Sequence, residues 1–190
     1  MTRVLILIAL IAALALPAWA EPARYRLDPD ASRVEFTYVL NGAPAKGTMP
    51  ISSADLVLDF ADVSRSTAAV ALNANRARTG VIFVTEALKS PEVLDTRSHP
   101  QIRFVSRSVS GGVNGARVAG DATVRGVTRP LTLQGRIYRR EGSQAGDLSR
   151  LTVLLEGQLD RRDFGASGFA ALVEPTVGLR IVARLVRVEG

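Results

Sequence analysis

The side chains able to do chemistry in this chain are few, and their spacing argues against catalysis. The one histidine, His99, stands directly before Pro100, in a turn entering an apolar run. A hydrolytic site needs a nucleophile, a base and an orienting acid. The chain has no Gly-x-Ser-x-Gly elbow to present a serine, so His99 reads as a turn residue. Asp160 and Asp163 are close enough in sequence to raise the paired-carboxylate chemistry of glycosidases. They flank Arg161 and Arg162, however, which makes surface ion pairs the simpler reading. Cysteine is absent, which removes thiolate nucleophiles and thiolate metal ligands, and a single imidazole cannot build a His-based zinc or copper site. No metal and no cofactor are expected. The arginine-rich turns at 76–78 and 161–162 have two readings, contact with a phosphate headgroup or ordinary solvated surface, and the second is the default.

Charge and composition narrow the partners. The net charge is +6, and the 24 basic residues are scattered over most segments. Aromatic residues make up 5% and do not interleave with the arginines, which argues against nucleic acid. A mildly positive surface suits anionic headgroups or a phosphate-bearing ligand, or is simply a solvated surface. The N-terminus has the parts of an export signal: Arg3, the uncharged apolar run 4–16, Pro17, and the small-x-small site Ala18-Trp19-Ala20. The run is shorter than the ~20 residues of a spanning helix. Residues 1–20 are therefore expected to be a signal peptide cleaved after Ala20. That leaves one periplasmic domain, 21–190, without a transmembrane segment.

Beyond residue 20 the dominant period is two. Val34, Phe36 and Tyr38 alternate with polar neighbours, as do Ile102 and Phe104, and Leu131 and Leu133, while Leu56, Leu58 and Phe60 alternate with Asp55, Val57 and Asp59. This is the pattern of sheets with one buried face. Turn signals at Asn41-Gly42, Gly111-Gly112, Asn114-Gly115 and 141–143 separate the runs. The pattern predicts about eight strands: 24–38, 46–60, 67–74, 101–110, 116–124, 128–139, 150–160 and 177–188. Between Thr79 and Ser90, Val81, Val84 and Leu88 recur at helical spacing and Pro91 ends the run, which predicts one short helix near 80–89 with Thr79 as N-cap. The Gly- and Ala-rich stretch 164–172 is a helical turn or a loop over one end. The fold class is all-β, and eight antiparallel strands suggest a closed barrel, which removes sheet edges. The interior of such a barrel can hold one small ligand. The apolar stripes could equally fill a core.

Several motifs, in a shared order, carry a family resemblance. They are Tyr25-Arg26-Leu27-Asp28 with Ser32 to Phe36; Gly47 with Ile51; Thr79-Gly80; Leu88-Lys89-Ser90; Pro100 with Phe104 and Ser106; 120–133; and Arg162-Asp163-Phe164-Gly165. Together they resemble the YceI-like family of secreted polyisoprenoid-binding proteins across nearly the whole chain after residue 20. The chain departs from the family pattern at Ala31, at Leu179-Arg180 and at 91–94.

The resemblance implies an eight-stranded, lipocalin-like β-barrel that carries a long apolar ligand, such as a polyprenyl quinone, a polyprenyl phosphate or a similar amphiphile, without catalysis. It implies ligand contacts at Val34, Phe36, Tyr38, Leu56, Leu58, Phe60, Ile102, Phe104, Leu131, Leu133 and Phe164, with Phe83 and Leu88 closing one end. Arg78 and Arg162 are the headgroup candidates. A membrane cytochrome b-type protein is an implied partner. The alternatives are a structural or stress-related periplasmic interaction protein, an outer-membrane barrel, or an enzyme acting on lipid. Scarce aromatics and a C-terminus without a terminal aromatic speak against the outer-membrane form.

Overall fold

The alternation of apolar and polar residues is realised as one closed sheet. The structure, a computed structural model, describes residues 22–112, 114–144 and 146–188. The expected signal segment lies outside these residues. The strands are β1 Ala23–Leu27, β2 Arg33–Leu40, β3 Ala43–Met49, β4 Ile51–Leu58, β5 Thr67–Asn73, β6 Arg78–Thr79, β7 Gln101–Gly112, β8 Gly115–Val124, β9 Val127–Arg139, β10 Arg150–Asp160 and β11 Thr176–Arg187. One helix, α1 Ile82–Lys89, lies between β6 and β7.

Eight of these strands close a ring in the order β1-β4-β5-β7-β8-β9-β10-β11, with β1 pairing back to β11. All pairings are antiparallel. The last strand makes the closure by pairing twice. Its C-terminal half pairs with β1 (Leu27 opposite Leu185), and its N-terminal half pairs with β2 (Phe36 opposite Leu179). β3 and β6 extend the sheet from β2.

The first two expected strands, 24–38 and 46–60, are each broken, for local reasons. Between β1 and β2 the Asp28 carboxylate accepts hydrogen bonds from the backbone N–H groups of Asp30 and Ala31, both at 3.2 Å, and folds the chain into a turn. Ser32 Oγ then accepts from Arg184 N at 2.9 Å, a contact that ties the break to β11. Between β3 and β4 stands Pro50, which has no N–H for a ladder. Phe60 falls beyond the end of β4 and packs edge-on against Tyr25, with ring centroids 6.3 Å apart. The Asn41-Gly42 turn forms as its sequence suggests, with φ of 51° and 76°. The β8–β9 hairpin uses the same geometry at Arg125-Gly126, φ 53° and 76°, where the arginine conceals the signal.

The helix corrects one expectation. Thr79 belongs to β6 and does not cap α1, whose N-cap is Val81 without a side-chain hydrogen bond. Thr79 Oγ1 instead donates to Val81 O at 2.8 Å, and Thr79 N donates to Thr85 Oγ1 at 2.9 Å. The stretch after β10 is a 3-10 turn, Arg161–Phe164, followed by an irregular loop over one end. Gly168 N donates to Glu92 O at 2.8 Å, and Asn41 N donates to Leu172 O at 2.8 Å; both bonds moor this loop.

Buried apolar residues gather in two clusters. One contains Met49, Leu94, Val124, Leu131, Leu133 and Phe164, below α1 and the 165–175 loop. The other contains Tyr25, Leu56, Leu151, Ala183 and Leu185, around the ring closure. Tyr25 is buried there, and its hydroxyl donates to Leu148 O at 2.8 Å, which pins the long β9–β10 connection to β1. Tyr25→Phe removes that bond and leaves the carbonyl without its donor. Urea unfolding should show a loss of about 1 kcal/mol at unchanged far-UV circular dichroism.

Candidate functional site

The inward faces of the strands leave a lumen open along the barrel axis. A cavity of about 510 Å³ runs between the two clusters, within the ~300–1,000 Å³ usual for small-molecule sites. Every apolar residue expected to meet a ligand lines it: Val34, Phe36, Tyr38, Leu56, Leu58, Phe60, Phe83, Leu88, Ile102, Phe104, Leu131, Leu133 and Phe164. Period-two patterning brings Leu56, Leu58, Ile102, Phe104, Leu131 and Leu133 together because alternate residues on a ring strand face one axis; Val34, Phe36 and Tyr38 join them from β2, which pairs with β11, and Phe60, Phe83, Leu88 and Phe164 from segments outside the strands. Leu88 is half-buried and packs on the first cluster. Phe83 stands 83% exposed and touches the cavity only at its mouth.

Strand glycines help to keep the lumen hollow. The Phe36 ring lies against Gly47 on the paired strand, and a Cβ at Gly47 would collide with that ring and with the Arg78 carbonyl. Phe104 lies in the same way over Gly120, on neighbouring β8. Each ring takes the space that a side chain on the neighbouring strand would otherwise fill.

Charged groups at the lining are engaged by the protein. Asp59, at the β4–β5 corner, is buried, and its Oδ1 accepts from Ala61 N at 2.9 Å and Asp62 N at 2.8 Å while Arg65 pairs with Oδ2. The Asp62 backbone bond is the chief cause holding this carboxyl below its ordinary range.

Arg161, which enters the sequence reading only as part of the 161–162 turn, is the most informative polar residue of the site, and it meets neither reading of that turn. It is buried and faces the cavity beneath the 165–175 loop. Its Nε donates to Glu174 O at 3.2 Å, Nη1 to Ala166 O at 2.5 Å and Gly168 O at 2.7 Å, and Nη2 to Val173 O at 2.9 Å. Burial pushes the guanidinium below its ordinary value. In sequence Arg161 and Arg162 are adjacent and alike, and only the course of the following loop separates their roles.

The two headgroup candidates are placed elsewhere. Arg162 grips its neighbour Asp160 through both carboxylate oxygens, with Nε at 3.0 Å from Oδ1 and Nη2 at 2.6 Å from Oδ2. That grip draws the Asp160 carboxyl down to about 2. Arg78 is exposed on β6, and neither arginine lines the cavity. Asp160 also caps the 3-10 turn through Arg162 N, so Asp160 and Asp163 form no facing pair. His99 is half-buried, its N–H donates to Asp95 O at 2.8 Å, and its ring packs on Gly126. Among the described residues no group of three or more His, Cys, Asp or Glu side chains gathers in one place to hold a metal ion. No helix among them is long and apolar enough to cross a membrane.

Fold and site together define a lipocalin-like class, an antiparallel barrel wrapped around an apolar lumen. Within that class the chain belongs to the YceI-like domain family, which matches residues 25–185. It is 32% identical over 77 residues to Protein YceI of Escherichia coli O17:K52:H18, covering 40% of each chain. It is 35% identical over 82 residues to a UPF0312 protein of Pseudomonas putida, covering 43% of this chain and 42% of that one. These matches span about two fifths of the relatives' length. Among solved structures, BcnA of Burkholderia cenocepacia superposes with a TM-score of 0.73 at 18% identity, over 84% of this chain and 99% of that one. A polyisoprenoid binding domain from Saccharophagus degradans, implicated in plant cell wall breakdown, superposes with a TM-score of 0.63 at 14% identity, over 87% and 99%. Similarity at these identities shows a shared fold.

Two outcomes follow from the polar groups. Arg161→Leu strips four loop carbonyls of their donor and should lower the unfolding free energy by roughly 2–4 kcal/mol, and Arg161→Lys should fail to restore it, because one ammonium cannot reach a fan of acceptors. Asp160 titrates lower in the folded chain than the ~3.9 of a free aspartate. Its stabilising effect is therefore complete above about pH 4 and fades as pH falls toward 2. The stability gap between the parent chain and Asp160→Asn, followed by denaturant titration, should be open at pH 7 and should narrow steadily as pH falls from about 4 toward 2.

Proposed function

We propose that this protein binds and carries a long apolar ligand of the isoprenoid type in its barrel and performs no catalysis on it. The observation that carries this reading is the apolar lining along the whole axis, from Phe60 at one end to Phe83 and Leu88 at the other. Each CH₂ moved from water into such a site contributes about 0.8 kcal/mol. A long chain therefore gains affinity unit by unit and needs few polar contacts. The description of one structural neighbour as a polyisoprenoid binding domain supports the same ligand class.

The ligand's polar head belongs at the end beneath α1 and the 165–175 loop, where the lining reaches exposed residues such as Phe83, Phe169 and Leu172. A polyprenyl quinone, a polyprenyl phosphate or a fatty amphiphile would fit this arrangement. The lining's two buried charges, Asp59 and Arg161, are held in structural hydrogen bonds and ion pairs, which leaves neither as a ready acid or base. The reading of residues 1–20 as an export signal supports carriage in the periplasm, with a membrane cytochrome b-type protein as the proposed recipient of a quinone.

Leu133 is almost wholly buried at the middle of the lining, packed toward Gly157 of β10. Leu133→Trp should fill the lumen and cut retention of a radiolabelled polyprenyl quinone, measured after gel filtration, at least tenfold. Overpacking costs typically ~1–3 kcal/mol, which a barrel of this size should survive. Phe36→Arg tests the same cavity by putting a charge in it. Unchanged retention in both folded variants would contradict the proposal.

A further inference from the structure

One end of the barrel exposes apolar side chains that the fold does not cover. Among the described residues, five of the eight exposed large hydrophobics lie there: Val81 at 53%, Ile82 at 72%, Phe83 at 83%, Phe169 at 41% and Leu172 at 46%. Single exposed hydrophobics are ordinary, but a concentration at one place marks a surface with a partner. The first three form the leading tip of α1. The other two lie on the loop moored to Glu92 and Asn41. Phe83, Phe169 and Leu172 also line the cavity, so this apolar rim surrounds its mouth.

The charge beside the tip selects the partner. Lys46 on β3, Arg76 and Arg78 are exposed, and no carboxylate among the described residues lies within ion-pair distance of any of them. Arg78 sits opposite Thr48 on β3, which places it beside the strand carrying Lys46. The helix's own carboxylate, Glu86, is held by Lys89 at 3.5 Å, and Glu92 lies beyond the opposite end of the helix from the tip. A second copy meeting this face in a two-fold arrangement would set these cations against themselves. An anionic bilayer instead accepts both features, the apolar tip among the acyl chains and the cations at the headgroups.

We propose that the mouth end of the barrel docks on an anionic phospholipid bilayer, with Ile82 and Phe83 inserted and Lys46, Arg76 and Arg78 against the lipid phosphates. The contact is peripheral and reversible, and it turns the cavity mouth toward the hydrocarbon layer. It does not depend on what the cavity holds.

The test uses residues 21–190, which contain every strand of the closed ring. The chain's one tryptophan lies at position 19, so Phe83→Trp introduces the sole indole of that protein. Vesicles of phosphatidylglycerol and phosphatidylethanolamine, free of polyprenyl lipid, should shift its emission to the blue. Bromine-labelled acyl chains should quench it, and phosphatidylcholine vesicles should do neither. In co-sedimentation, the double substitution Ile82→Ser with Phe83→Ser should weaken binding at least tenfold, and Lys46→Glu with Arg78→Glu should remove the preference for anionic lipid. Absence of a shift and of sedimentation would overturn the proposal, as would equal binding to phosphatidylcholine. A blue shift that follows protein concentration without vesicles would assign the face to self-association and overturn it too. Because these vesicles carry no polyprenyl compound, failure here leaves the cavity proposal intact, and failure of cavity binding leaves the docking result intact.

Discussion

The structure depends on the double pairing of β11. An eight-stranded sheet of this kind must close or leave two long edges in water. Closure here comes from a strand that holds β1 along its C-terminal half and β2 along its N-terminal half. The break at 28–32 makes both pairings possible. Asp28 turns the chain, and Ser32 returns it to the same strand through Arg184. With the ring closed, all inward side chains converge on one axis, and their size decides whether the interior is solid or hollow.

It is hollow because bulk and its absence face each other across strand pairs. Phe36 lies on Gly47 and Phe104 on Gly120, so two large rings of the lining occupy space that the neighbouring strand leaves free of side chain. Each end is finished by a different device. At one, the buried Asp59 with Arg65 fixes the β4–β5 corner. At the other, Arg161 gathers four carbonyls and gives an otherwise irregular loop a defined course over the opening. A guanidinium suits that role because its donors fan out in one plane. The apolar lining, the loop and the exposed tip of α1 then form one continuous surface from the interior to the outside.

The inward stripes were legible because period two shows clearly on β2, β7, β8 and β9, and the order of motifs pointed to the family and hence to the barrel. What stayed hidden was partly local turn geometry and partly contacts between segments that the chain brings together only on folding. Asp28 and Pro50 break the first two expected strands, and across 28–33 the inward positions change from odd, Ala23 and Tyr25, to even, Val34 and Phe36. Arg125 adopts a left-handed turn conformation that its residue type does not advertise. Thr79 had the right chemistry for an N-cap, but β6 pairs with β3 and its hydroxyl turns to Val81 and Thr85. Arg161 and Arg162 are adjacent and alike in sequence, yet one is buried among carbonyls and the other is spent on Asp160 at the surface. No periodicity separates them, because the difference lies in where the loop returns.

The central claim is that the lumen holds an apolar chain in the cell. Native mass spectrometry of the protein purified without detergent, with organic extraction of the same sample, addresses it most directly. The expected result is a bound species of defined mass that extracts into organic solvent as an isoprenoid-type amphiphile, and that is missing from Leu133→Trp. A chain that flies at its bare polypeptide mass, yields no extractable lipid and takes up no added polyprenyl compound would contradict it.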